Sequence, residues 1–394
     1  KEFVTEMFIL LRQNEITFTD GNADGRGSRN YGYGRRKQMT NITKTMSDDK
    51  TYIANTYARF PIEITRGRGC LLFGSDGKKY IDMGSGIGVN IFGAADTKWK
   101  AAVKKQLDKI QHTSNLYYTE PGVRLAETLC EKTGFKKVFF CNSGAEANEG
   151  AIKAARKYAA ERKGTEYSTI ITLKNSFHGR TITTLAATGQ DCFHEHFQPL
   201  TQGFVYTPAN DAEAMKEAVR NNKLAAIMIE CIQGEGGVVP LDSDFVKEIA
   251  DTAKKNDILL IVDEVQTGNG RTGKLYSYMN YGIEPDIVTT AKGLGGGLPI
   301  GAILFGEKTA DVLGKGDHGS TFGGNPAVCA GALSVLKRLD EKFLAEVKKK
   351  GEYIFSDLKN ADGVLNVCGK GLMIGIETEK PPREVIDECI ENGV

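Results

Sequence analysis

An excess of charge of either sign is absent from this chain. It carries 51 lysines and arginines against 50 aspartates and glutamates over 394 residues. Nothing in that balance marks a binder of nucleic acid or of an anionic membrane surface. No apolar stretch approaches the length needed to span a bilayer. The eight cysteines (70, 130, 141, 192, 231, 329, 368 and 389) contain no Cys-x-x-Cys pair. They read as reduced, mostly core-filling thiols of a cytoplasmic protein. His194 and His196 are neighbours, yet no cysteine or carboxylate cluster with ligand spacing surrounds them. The pair is therefore assigned to a solvated loop, and no metal is expected. No Gly-x-Gly-x-x-Gly turn follows an early strand, which argues against a plain nucleotide-binding α/β protein.

The two ends differ from the middle. Residues 21–37 are rich in Gly, Arg and Tyr with no helical or strand period, so 1–46 reads as a disordered or non-native extension. The acidic residues Glu2, Glu6, Glu15, Asp20 and Asp24 argue against a transit peptide, and Met46 is a plausible natural start. Residues 382–393 have an amphipathic helical pattern, and the chain reads as shortened beyond it.

From about residue 97, helical patterns alternate with short apolar runs. The pattern predicts helices over 145–162 and 244–256 and strands over 168–173, 224–230, 258–262 and 286–290. Such alternation implies an α/β domain with a mostly parallel sheet covered on both faces. Functional groups in these sheets gather at the carboxyl ends of strands.

Two of those ends carry the chemistry. The run 258–262 delivers Asp263, and the run 286–290 delivers Lys292 ahead of the glycine cluster 293–297. One buried carboxylate and one amine at the same sheet edge are what a pyridoxal phosphate enzyme needs. The lysine forms the Schiff base, and the aspartate keeps the pyridine nitrogen protonated so that the ring acts as an electron sink.

Further candidates sit at other strand ends. Residues 138–148 describe a strand turning through Ser143 and Gly144 into an alanine-rich helix, whose orphan N–H groups form an anion site for a phosphate. The plain alternative is an ordinary N-cap. Phe177 is suited to stack on a flat ring and Arg180 to clamp a carboxylate, although a core phenylalanine and a surface arginine explain the same residues. Gln266, three residues after Asp263, is placed to reach a cofactor oxygen, and a polar loop residue explains it equally. Glu230 and Glu235 fall on a loop, either of them an exposed carboxylate without a role.

Taken together, these motifs resemble the class III aminotransferases of fold type I over about residues 50–394. The carriers are SNLYYTEP at 114–121, NSGAEANEGAIKAARK at 142–157, FHGRT at 177–181, QGEGG at 233–237, DEVQTGNGRTG at 263–273, AKGLGGGLPIGA at 291–302 and HGSTFGGNP at 318–326. SNLYYTEP and QGEGG are most similar to the acetylornithine branch. The resemblance implies a large pyridoxal phosphate-binding domain over 96–330, and a small α+β domain built from 47–95 and 331–394. It implies that Lys292 is the Schiff-base lysine and proton shuttle, Asp263 the partner of the pyridine nitrogen and Gln266 that of the ring oxygen. Ser143, Gly144 and Ala145 would hold the phosphate, and Phe177 would stack on the ring. Thr321 would reach the phosphate in the other subunit of a homodimer with shared active sites. Ser320 and Glu235 would lie beside the substrate, and Arg180 would bind the carboxylate far from the reacting amine. The activity implied is transfer of the δ-amino group of N-acetylornithine to 2-oxoglutarate, a step of arginine biosynthesis.

Three departures from the family pattern bear on that reading. Gly93-Ala94-Ala95-Asp96 stands where a Gly-His pair is usual, and Cys368 stands where an arginine is usual. Relatives also carry an arginine beyond residue 394 that pairs with the counterpart of Glu235. The expectations are that Glu235 lacks its usual partner and that the response to glutamate and 2-oxoglutarate is impaired. Another ω-amine donor (ornithine, succinylornithine, succinyl-diaminopimelate or 4-aminobutyrate) and a catalytically impaired protein of the same fold remain alternatives.

Overall fold

The computed structural model describes residues 8–11 and 43–394. Of the segment 1–46, Phe8–Leu11 is a strand, Thr43 caps the helix Lys44–Tyr52 and residues 44–46 are its first turn; the rest lies outside the described residues.

A seven-stranded sheet forms the centre. Its strands are β1 (Lys137–Cys141), β2 (Thr169–Leu173), β3 (Phe204–Thr207), β4 (Leu224–Ile229), β5 (Leu259–Asp263), β6 (Ile287–Thr290) and β7 (Gly301–Phe305). They are ordered β1-β7-β6-β5-β4-β2-β3. Only β7 runs antiparallel to its neighbours; all other pairs are parallel. Apolar runs without alternation become these strands because both sheet faces are covered. Ile227, Ile229, Leu260 and Val262 pack into one core with Leu125, Leu129 and Val335. The alternate residues Ala226, Met228, Leu259 and Ile261 pack on the opposite face against Ala151, Ala155 and Ala159. Those alanines belong to the long helix α1 (Gly144–Lys163), whose small side chains let it lie close on the sheet.

Around this core lie smaller elements. The meander Ile64–Arg68, Leu71–Gly74, Lys79–Ile81 is antiparallel. The hairpin Val364–Lys370 and Met373–Thr378 backs onto the helix Glu341–Leu358, and Phe8–Leu11 adds a parallel strand beside Met373–Ile376. The helix Pro382–Glu391 ends where the Ile81 N–H donates to the Gly393 carbonyl at 2.8 Å.

Two expectations need correction. His194 is buried, not solvated, because its ring packs near Tyr206 and its Nε2 lies 3.0 Å from the Leu185 carbonyl; His196 is exposed. The cysteines are all free, but only Cys141, Cys231 and Cys329 are buried, and Cys192 and Cys389 are exposed. Among the described residues no helix is long and apolar enough to cross a membrane.

Candidate active site

The site grows from two adjacent parallel strands. Asp263 is the last residue of β5 and lies opposite Thr289 of β6, so β6 ends beside it and Lys292 follows two residues later. Lys292 takes φ +43°, the left-handed region that a non-glycine residue enters only when its surroundings hold it there. Burial pulls its amine below the ordinary lysine range. The carboxylates Glu235, Asp263 and Glu230 oppose that shift, and Arg271 adds to it. A lysine held this way has a larger neutral, nucleophilic fraction.

Asp263 is 4% exposed and its oxygens can be accounted for individually. Oδ2 accepts from Asn148 Nδ2 at 2.7 Å and meets His178 Nδ1 at 2.8 Å. Oδ1 accepts from the Val265 N–H at 3.0 Å. An ionised carboxylate offers about four acceptor positions. Oδ2 is thus filled, while Oδ1 keeps one buried lone pair that calls for a donor.

The start of α1 abuts the same loop. Ser143 is the N-cap, its hydroxyl accepting from the Glu146 N–H at 3.1 Å, as the plain capping reading has it, and the hydroxyl keeps its own hydrogen to donate. The first-turn N–H groups of Gly144 and Ala145 have no acceptor inside the helix. Gly179, at φ +139°, brings the turn after β2 against Ala145, where an added Cβ would stand 2.9 Å from the alanine methyl. On that turn the Phe177 N–H donates to Glu230 Oε2 at 2.9 Å, and the Phe177 ring meets Phe193 edge-on at 5.9 Å. Arg180 is exposed, its guanidinium carbon 4.4 Å over the Phe193 ring and 5.6 Å from that of Phe177.

Gln266 Nε2 donates to Glu235 Oε1 at 3.2 Å, an amide contact distinct from the arginine that usually pairs at this position; Gln266 Oε1 is buried and unmatched. Ser320 accepts from Asn142 Nδ2 at 3.1 Å, next to the turn into α1, and Thr321 beside it is exposed. Cys368 donates to the Val238 carbonyl at 3.1 Å, and Asp96 caps the helix Thr97–Leu107 and pairs with Arg338 at 2.9 Å.

Glu230 is not an exposed loop carboxylate. It is 5% exposed at the end of β4, and burial pushes its acid up to about 7, with Asp263 adding to the shift and His178 opposing it. Nothing in the sequence pattern singles out His178 or Phe193. Asn148 stands one turn beyond Gly144, on the same face of α1, which is the signal that places it over the sheet.

The chain belongs to the class III aminotransferases. Residues 52–394 match the family described as Aminotransferase class-III, whose enzymes depend on pyridoxal phosphate. It is similar to the acetylornithine aminotransferase of Haemophilus ducreyi, 53% identical over 348 residues that cover 88% of each chain. That of Methanocaldococcus jannaschii is 47% identical over 350 residues, again 88% of each. The fold is similar to an ornithine aminotransferase of Toxoplasma gondii with pyridoxal phosphate at partial occupancy in its active site (TM-score 0.84, 32% identity, 89% and 85% of the two chains). It is also similar to the N-acetylornithine aminotransferase of Stenotrophomonas maltophilia (TM-score 0.74, 34% identity, 88% of each).

The residues present fit that cofactor. The remaining lone pair of Asp263 Oδ1 suits a ring N–H, unmatched Gln266 Oε1 offers a further polar contact, and Lys292 offers a nucleophilic amine.

Proposed function

We propose that the chain transfers the δ-amino group of N-acetylornithine to 2-oxoglutarate. The observation that carries the reading is the placement of Lys292 and Asp263 at one sheet edge in a chain so similar to acetylornithine aminotransferases. Pyridoxal phosphate, when bound, supplies the electron sink for removing a proton from the carbon that bears the amine. Lys292 holds the cofactor and moves that proton at Nζ. Asp263 keeps the ring nitrogen protonated and Gln266 holds the ring oxygen. Ser143, Gly144 and Ala145 bind the phosphate at the start of α1, and Phe177 covers the ring. Arg180 takes the distal carboxylate, with Ser320 and Glu235 beside the substrate.

The same reading makes the working unit a homodimer in the cytoplasm, with Thr321 of one copy reaching the phosphate of the other. Exposed Leu116, Tyr117, Tyr118 and Phe322 support it: Phe322 adjoins Thr321, and Asn115 Nδ2 ties the two loops by donating to the Gly323 carbonyl at 2.9 Å. It also treats 47–95 with 331–394 as one small domain beside a large one over 96–330, a division supported by the bond between Ile81 and Gly393.

The greater likeness of fold to the Toxoplasma ornithine aminotransferase favours a second reading, with ornithine as donor. Absorbance of the pyridoxal phosphate-loaded protein separates the two. N-acetylornithine alone should convert the visible band of the lysine-bound cofactor to that of pyridoxamine phosphate, faster than ornithine does. A band that responds to ornithine but ignores N-acetylornithine would exchange the substrate. No band at all would overturn the enzymatic reading.

A further inference from the structure

We propose that His178 is a positioning residue: with Asn148 it closes Oδ2 of Asp263 from behind, so that the carboxylate offers only Oδ1 to the ring nitrogen of the cofactor. The proposal rests on the assignment of Asp263 above and adds the group that makes the assignment work.

The geometry is that of a built support. His178 is 2% exposed, and its backbone N–H donates to Thr188 Oγ1 at 2.9 Å. Its carbonyl accepts from Asn148 Nδ2 at 2.7 Å, the same amide that donates to Asp263 Oδ2. Asn148 thereby ties the backbone of His178 to the carboxylate that its imidazole meets. Oδ2 of an ionised carboxylate can only accept, so Nδ1 of His178 must carry the hydrogen in their 2.8 Å contact. Two donors on one buried oxygen stabilise the anion and leave it no rotational freedom. Charged groups face His178 from two strands, Asp263 from β5 and Glu230 from β4. Burial alone would lower the basicity of the imidazole, but the bond to Asp263 and the two negative charges raise it on balance.

The test uses the loaded enzyme and four proteins: wild type, His178→Leu, His178→Asn and His178→Gln. Asparagine can place an amide N–H near the position of Nδ1; glutamine places its own nearer Nε2. The readout is the pH midpoint of the visible cofactor band, which a packing role would not move. Without the donor at Oδ2, Asp263 binds a proton more readily and the ring nitrogen loses its own. The positive charge that disfavoured a proton on the lysine-derived nitrogen is then gone. The midpoint should rise in His178→Leu and His178→Gln by about one pH unit, the scale of one charge-assisted hydrogen bond. Turnover should fall at least about tenfold with KM for the amino donor within about twofold. His178→Asn should keep the wild-type midpoint. An unshifted midpoint in the leucine and glutamine variants would overturn the inference and leave the proposed function standing, as would an asparagine variant shifted as far as glutamine. If the leucine variant does not fold, the asparagine–glutamine pair decides. A wild-type protein that forms no band would overturn the functional reading, and this inference with it.

Discussion

Gly144 lies against Val265 so closely that a methyl group on its Cα would stand 2.6 Å from Cγ1 and 2.9 Å from Cγ2. The contact joins the first turn of α1 to the loop that begins at Asp263. The helix start proposed for the phosphate and the carboxylate proposed for the ring nitrogen are therefore set by one packing interaction.

Gly144→Ala should push those two segments apart. Overpacking of this kind costs about 1–3 kcal/mol, and the affinity for pyridoxal phosphate should fall with it. Thermal unfolding and a cofactor titration measure both. Adding Val265→Ala should restore most of each loss; a double variant as poor as the sum of its parts would deny the contact its role.

Lys292→Arg keeps the positive charge but not an amine that can become neutral and nucleophilic. The visible cofactor band should vanish and turnover should fall by at least about 10²–10⁴-fold. Retention of the band would place the attachment elsewhere.

Glu264 follows Asp263 and is fully buried, held by Thr267 Oγ1 at 2.6 Å and the Tyr278 N–H at 2.7 Å. Burial pushes its acid from an ordinary 4.5 up to about 7. The native state then binds this proton more tightly than the unfolded chain. Its contribution is fully present below pH 4.5 and is lost as pH rises through about 7. Denaturant unfolding should show stability falling across that window by about 3 kcal/mol from this group. In Glu264→Gln, where the Thr267 hydroxyl can turn to accept, that part of the fall should disappear. An unchanged pH profile would contradict the assignment.

Arg180 rests on Phe193, so removing either should act on the distal carboxylate of the substrate. Arg180→Gln should raise KM for N-acetylornithine by about tenfold or more. Phe193→Leu removes only a cation–π contact worth about 0.5–1 kcal/mol, or two- to fivefold. Steady-state kinetics on both variants measure the order; an equal effect on kcat with no change in KM would contradict it.

Much of this arrangement is legible in the sequence, because short apolar runs bounded by glycine and charge specify strands, and strand ends specify where polar side chains emerge. Lys292 and Asp263 pair on sequence pattern alone, since their strands are consecutive in the chain and adjacent in the sheet. The support behind them does not. The bonds of Asn148 and His178 to Asp263 span 115 and 85 residues, and no local period announces them. Glu230 has the sequence surroundings of a loop carboxylate because the pattern of β4 shows where the strand stops, not what covers its end. The burial of His194 is hidden for a similar reason: it depends on the Leu185 carbonyl and Tyr206, contacts made through the folding of the chain after β2.

The measurement that bears most directly on the central claim is borohydride reduction of the pyridoxal phosphate-loaded protein followed by peptide mass analysis. The account predicts one phosphopyridoxyl group per chain, on Lys292, and none on the Lys292→Arg protein. A label on any other lysine, or none on wild type, would contradict it.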